Sequence, residues 1–250
     1  MILSATFHPG YNPMIRKIES IFALNDGERQ ALLKLPMQVM AIKADQDIVR
    51  EGDSPSRSCL ILSGFAATYK VTAQGKRQIV SFNLPGDVPD LQSLHLKVLD
   101  NSVSTISPCS VGFIPHEALR DVCERYPRIT AAFWRETLID AAIFREWVLN
   151  VGRREAYTRM AHVLCELLTR LRAVGLAEDH SCDLPITQNE FADAIGVTNV
   201  HVNRVLQQLR AEGLIELNGD RLNILDWEKL KQVGEFDPTY LYLENNQAAA

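Results

Sequence analysis

The chain has 250 residues, 46% of them hydrophobic, and its 26 basic and 31 acidic side chains leave a formal net charge of −5. Such a chain builds one large globular domain or two modest ones, and it cannot hold polyanions by bulk charge alone. There is no apolar run of the ~18 residues a membrane span needs, and no signal-peptide pattern opens the chain, so a cytoplasmic protein without a membrane partner is expected. Cys59, Cys109, Cys123, Cys165 and Cys182 are scattered, with no CxxC pair and no zinc spacing. They read as small buried or incidental thiols, and neither a metal nor a cofactor is expected.

Two short helices are predicted over 15–22 and 26–35, the second capped by Asn25 or Asp26 with Glu28 in its first turn. From 37 to 114 the pattern changes to short β-type runs at 37–41, 47–49, 59–63, 65–72, 77–84, 103–106 and 110–114. Glu51-Gly52-Asp53, Leu62-Ser63-Gly64, Ala73-Gln74-Gly75-Lys76 and Pro85-Gly86-Asp87 separate them at spacings that suit an antiparallel roll or barrel. Such a roll encloses room for a ligand, and the two helices are expected to pack on its outside.

Pro115 opens a helix over 116–125, and Pro127 stands at the first position of a much longer one reaching about Asn150. Along that helix Ala131, Trp134, Leu138, Ala141, Arg145 and Val148 step by three and four, like the a and d positions of a coiled coil. Ala132, Ile139 and Ile143 form a second stripe. Two stripes suggest two partners, one stripe serving the helix's own roll and the other a second copy of the chain in a two-fold dimer; the alternative reading is one wide stripe facing the core. Gly152 and Arg153-Arg154 mark a hinge, followed by a helix over 156–174 carrying Met160, Val163, Leu164, Leu167, Leu168 and Leu171, which Gly175 ends.

The most informative segment, 187–214, reads as two helices joined by a tight turn. Thr187 caps the first, with Glu190 completing a capping box; Gly196 makes the turn; Thr198 caps the second. Val202, Val205, Leu206 and Leu209 turn to the core, which leaves Asn199, Val200, His201, Asn203, Arg204, Gln207 and Gln208 outward. Arginine pairs with guanine, asparagine with adenine, and valine touches a thymine methyl. From Thr198 to Arg210 the only charged residues are Arg204 and Arg210, so specific contacts must supply much of any DNA binding. Alternating runs at 214–217 and 221–225 around Asn218-Gly219-Asp220 predict a hairpin wing. In the tail, Tyr240-Leu241-Tyr242 is expected to dock on the winged domain or its partner, with the final residues disordered.

The fold class expected is α+β: an antiparallel β-roll, a long dimerisation helix and a C-terminal winged helix-turn-helix. Its parts are 1–126 (helices and sensor-like roll), 127–152 (dimerisation helix and hinge), 153–233 (DNA-binding domain) and 234–250 (tail). In that order, with Gly52-Asp53, Leu62-Ser63-Gly64, Pro85-Gly86-Asp87, Arg154, Arg159-Met160-Ala161 and the run from Leu184-Pro185-Ile186-Thr187-Gln188 to Val202-Asn203-Arg204-Val205-Leu206, the chain closely resembles the Crp/Fnr family of bacterial transcription regulators. The resemblance spans nearly the whole chain and is most specific in the last segment.

It implies a homodimer on a pseudo-palindromic operator, with double-stranded DNA, a second copy of the chain and RNA polymerase as partners and a small-molecule effector of unknown identity. Arg204 falls on the family's base-contacting arginine. Asn199, Val200, His201 and Asn203 complete the base-facing set; Thr198, the cap of that helix, belongs to the DNA-binding residues as well, and Thr187 and Gln188 hold phosphate at a helix N-terminus. The family's familiar members carry Glu where Val200 stands, so a shifted half-site preference is expected. Gly86, Asp87, Asp90, Asn101 and Ser102 are the effector-pocket candidates. In cyclic-AMP-binding members an arginine before Ser or Thr meets the phosphate; here Asn101 precedes Ser102, and Lys97 lacks the guanidinium fork. A buried phosphodiester without a cation costs several kcal/mol, so no tight cyclic AMP binding is expected. No cysteine precedes Cys59, so the family's N-terminal iron–sulfur cluster is not expected, and neither His95 nor His116 reads as a haem ligand. No catalytic motif is present and the chain reads as a non-enzyme. The alternative is a small-molecule-binding interaction module whose helical domain does not bind DNA.

Overall fold

The computed structural model describes residues 12–244. The fold divides into two compact units, one made of residues up to Val71 with Ser81–Leu138, the other of Thr72–Val80 with the chain from Ile139 onward.

In the first unit, helix α1 (Pro13–Glu19) begins where Asn12 accepts from the amides of Met14 and Ile15 and Pro13 takes the first turn. The sequence reading placed this helix two residues too late, missing the Asn-Pro start signal. Helix α2 (Asp26–Leu33) opens with a reciprocal capping box between Asn25 and Glu28. Strands β1 (Gln38–Ile42), β2 (Asp47–Val49), β3 (Arg57–Ser63), β4 (Ala66–Val71), β5 (Arg77–Asn83), β6 (Ser102–Thr105) and β7 (Cys109–Pro115) form two sheets, ordered β1-β7-β3 and β2-β6-β4-β5. The pairings β1–β7, β3–β7, β2–β6 and β4–β6 are antiparallel.

Strand β3 is buried on both faces, and its alternation explains why. Cys59 and Ile61 join Val49, Ala66, Leu99, Val103, Val111 and Phe113 inside the roll. Leu60 and Leu62 face Met14, Ile15 and Ile18 of α1, Leu32 of α2, and Leu119 and Val122 of helix α3 (His116–Arg125). The N-terminal helices thus cover the outside of the roll, as expected.

Helix α4 (Pro127–Arg153) crosses the border between the units. It runs through Gly152, so the expected hinge is corrected: the helix breaks at Arg154-Glu155, where Glu155 takes an extended conformation ahead of α5 (Ala156–Ala173). A glycine inside a helix costs only about 1 kcal/mol, and one more turn carries α4 past it.

The second unit continues with β8 (Ala177–Glu178), β9 (Ser181–Asp183), α6 (Gln188–Ile195), α7 (Asn199–Ala211), β10 (Ile215–Asn218), β11 (Arg221–Ile224), α8 (Trp227–Val233) and a 3-10 turn at Pro238–Leu241. The wing is larger than the expected hairpin, because β9 and β8 extend it to a four-stranded sheet ordered β10-β11-β9-β8. Among the described residues no helix is long and apolar enough to cross a membrane.

Candidate nucleic-acid interface

Helix α6 starts at Thr187, whose hydroxyl accepts from the Glu190 amide at 3.4 Å while Glu190 accepts from the Thr187 amide at 2.6 Å. It ends at Gly196, with φ 70° and ψ 38°, the left-handed geometry that lets the chain reverse at once. Thr198 then caps α7 by accepting from the His201 amide at 3.3 Å. Val202, Val205, Leu206 and Leu209 are all buried, as are Phe191, Ala194 and Ile195 of α6.

That packing leaves one face of α7 bare. Val200 is 81% exposed, Asn199, Arg204, Gln207 and Gln208 are exposed, and His201 and Asn203 are half-buried. Among the described residues Arg204 has no hydrogen-bond or ion-pair partner, so its whole donor fork is available. Two side-chain amide pairs link the helices: Asn203 Nδ2 donates to Gln188 Oε1 at 3.2 Å, and Asn199 donates to Asn189. These pairs orient Asn203 and Asn199 while leaving each a free acceptor lone pair and a second N–H. The sequence reading missed them, although amide residues at both helix starts were a visible signal. Arg159, which the sequence marked only as part of the family resemblance, donates to the Ile195 carbonyl at 2.8 Å and to the Arg154 carbonyl at 2.7 Å and so satisfies the C-terminal end of α6. Glu212, the acid nearest the outward face along α7, lies past its end and accepts from Tyr157 at 2.6 Å.

The long helix separates its two stripes. Ala132, Ile139 and Ile143 are buried, whereas Ala131, Trp134, Leu138, Arg145 and Val148 are exposed and Ala141 is half-buried. Trp134 at 68% and Val148 at 69% exposure are large apolar side chains left in water.

The five effector-pocket candidates lie between the turn after β5 and the first residue of β6, and the fold uses most of their polar atoms. A Cβ at Gly86, where φ is 103°, would meet the Pro13 carbonyl at 2.5 Å, so α1 closes over this turn. Asp87 accepts from the Leu84 amide at 2.8 Å and pairs with Lys17 at 2.8 Å. Ser102 accepts from the Glu51 amide at 3.0 Å. Asn101 accepts from Gln92 at 3.1 Å, while its Nδ2 has no partner among the described residues. Asp90 is fully buried and accepts from the Cys59 amide at 2.8 Å through Oδ1, but Oδ2 is unpartnered among the described residues. Burial pushes its carboxyl up to about 6.

A cavity of about 280 Å³ opens on the roll between Ile48, Val49, Asp53, Ser54, Pro55, Arg57 and Phe113, and none of the five candidates lines it. His116 is engaged with Ser93 at 2.9 Å, whereas His95 and Lys97 are exposed. Cys59, Cys109, Cys165 and Cys182 are buried free thiols, and burial pushes Cys109 and Cys182 up to about 11, which disfavours the reactive thiolate.

Residues 39–126 match the family described as the cyclic nucleotide-binding domain, and residues 158–233 match the Crp-like helix-turn-helix domain. The chain belongs to the Crp/Fnr family of transcription regulators. It is 26% identical over 204 residues to the transcriptional activator protein FnrA of Stutzerimonas stutzeri, covering 82% of this chain and 83% of that one. Transcriptional activator protein FnrL of Cereibacter sphaeroides is 27% identical over 206 residues, 81% and 82% of the two chains. The solved structure of FixK2 from Bradyrhizobium japonicum shares the fold with a TM-score of 0.73 at 24% identity, spanning 80% of this chain and 98% of that one. The α+β architecture of roll, long helix and helix-turn-helix is therefore that of Crp/Fnr proteins, which are DNA-binding regulators rather than enzymes.

Proposed function

We propose that this Crp/Fnr protein acts as a homodimer that reads a pseudo-palindromic operator by placing α7 of each copy in a major groove. The observation that carries this reading is the outward face of α7, which is bare, free of carboxylates and centred on an arginine with no partner among the described residues. Arg204 pairs with a guanine, Asn203 or Asn199 with an adenine, and Val200 or His201 adds methyl or shape contact. Thr187, Gln188 and Thr198 hold backbone phosphates from the two helix starts. The bare stripe through Trp134, Leu138 and Val148 makes the dimer contact. Its apolar side chains gain about 25 cal/mol for each Å² that a second copy covers.

The protein does not require cyclic AMP. Asn101 supplies no positive charge for a cyclic phosphate, and the polar atoms of Asp87 and Ser102 are already used within the fold. Any effector is of another chemistry and shifts the dimer toward its DNA-competent form by binding that form better. A regulator of this kind works in the cytoplasm and meets RNA polymerase at its promoters. Titration of the purified protein onto a fluorescent operator, with and without cyclic AMP, tests the reading. Equal affinity in both is expected, and calorimetry should detect no micromolar cyclic AMP binding. A strict requirement for the nucleotide would overturn it.

A further inference from the structure

The outward residues of α7 fall on two stripes of four-residue spacing. Val200 and Arg204 lie on one, and both are exposed. Asn199 and Asn203 lie on the other, the stripe that meets the start of α6. There Asn203 Nδ2 donates to Gln188 Oε1 at 3.2 Å, and Asn199 donates to Asn189. Gln188 and Asn203 are both half-buried. The acid in the first turn of α6, Glu190, is buried and turned to the Thr187 amide at 2.6 Å, so it does not draw the Asn203 amide away. The Arg204 guanidinium is thus left to find its base, whereas the Asn203 amide is held before DNA arrives.

Donors and acceptors decide what this hold selects. An amide side chain has two N–H groups and two acceptor lone pairs on its oxygen. With one N–H of Asn203 engaged by Gln188, an N–H and the oxygen remain, the donor and acceptor that a bidentate contact to adenine needs. Turning the amide over exchanges oxygen and nitrogen, and an adenine placed for one orientation then meets donor against donor and acceptor against acceptor. Gln188 Oε1 can only accept, so it admits one orientation. Gln188 needs fixing in its turn, since its own amide turns over as readily. Both its N–H groups are without a partner among the described residues. They stand at the N-terminus of α6, where unpaired backbone amides and the helix dipole favour an anion. A phosphate oxygen also only accepts, so a phosphate on Nε2 leaves Oε1 for Asn203.

We propose that Gln188 is a positioning residue that joins backbone contact to base reading: Nε2 donates to an operator phosphate while Oε1 sets the Asn203 amide to read an adenine. This rests on the proposed function and deepens it, assigning the adenine to Asn203 and the orientation of that contact to a residue that touches no base. Asn189 and Asn199 repeat the arrangement one turn earlier in α7, but both are exposed, and water competes for their amides. A bidentate contact gives roughly tenfold to a hundredfold preference over a wrong base. A side chain at position 188 without an acceptor removes most of that preference and leaves the Arg204 step alone.

Anisotropy titrations of the full chain on operators carrying each of the four bases at every half-site position test the proposal, with the ratio of affinities at a step as the readout. Asn203→Ala identifies the adenine step as the one it flattens. Gln188→Leu, which offers neither donor nor acceptor, and Gln188→Lys, which offers only donors, should each lower the preference at that step by roughly tenfold. Gln188→Glu keeps an acceptor for Asn203 but repels phosphate, so it should bind every operator more weakly and keep the adenine preference. The double variant Q188L/N203A should lose no more preference than N203A alone. Weakening of all four operators by one factor in Q188L marks a phosphate contact only and overturns the proposal. A step flattened by Q188E as much as by Q188L overturns it too, as does an N203A variant that flattens none. If Q188L fails to fold, Q188K and Q188E decide by the same ratio. The guanine preference at the Arg204 step is the control: it persists in every Gln188 variant when this inference alone fails, and it is absent from the wild type when the DNA-binding reading fails.

Discussion

Replacing Asp90 with asparagine should stabilise the roll at neutral pH, although the residue is completely buried and its carboxylate accepts a hydrogen bond. Burial raises the carboxyl from 3.8 to about 6, a displacement worth about 3 kcal/mol against the ionised form. Because the folded value lies above the unfolded one, Asp90 is harmless below pH 3.8. Its cost appears as the pH rises and is complete once the group ionises above about 6. Asparagine keeps the acceptor for the Cys59 amide, bonded at 2.8 Å, and carries no charge. Its Nδ2 takes the place of the unpartnered Oδ2, which costs about 1–2 kcal/mol. The net expectation for Asp90→Asn is a gain of about 1–2 kcal/mol at pH 8 that shrinks and reverses below pH 4. Native-state hydrogen exchange of peptides spanning β3, measured through a urea series at several pH values, reads this locally, since the Cys59 amide is the bonded donor. A difference between variant and wild type that does not change with pH would refute the reasoning.

Arg204→Ala should weaken operator binding by about 1–3 kcal/mol and flatten preference at one base step. Because Arg204 has no partner among the described residues, thermal stability should move little; anisotropy titrations on a panel of single-base operator variants check both, and unchanged specificity would refute the assignment. Leu138→Glu places a carboxylate on the bare stripe of α4 and a like charge opposite it in a two-fold dimer. With 55% of Leu138 exposed, the single chain should fold normally while dimer affinity drops by roughly 100-fold or more. Sedimentation equilibrium would show monomers, and an intact dimer would move the interface elsewhere.

The fold was legible where local signals agree with tertiary packing. Thr187, Glu190, Gly196 and Thr198 fix both helices of the reading motif, and the structure shows each in the expected role. The seven strand runs of the roll were visible because turn residues bound them. The two-residue strand β8 and three-residue β9 were not, since strands this short carry no periodicity and exist only by pairing with β11. Helix α8, seven residues from Trp227 to Val233, is too short for a convincing apolar stripe, though Asp226 was a readable cap. Gly152 misled because a helix-ending glycine and a tolerated one look alike until the following turn is seen. At the candidate site, the outward face of α7 followed from spacing alone. The amide pairs with α6 did not, because they depend on how two helices cross.

Selection of bound sequences from a random duplex pool by the full-length protein, with no ligand added, tests the central claim most directly. Enrichment of a two-fold symmetric motif with half-sites about one helical turn apart, altered at one guanine by Arg204→Ala, is the predicted result. A pool that stays random, or an asymmetric motif indifferent to Arg204, would contradict a dimeric regulator that reads DNA through α7.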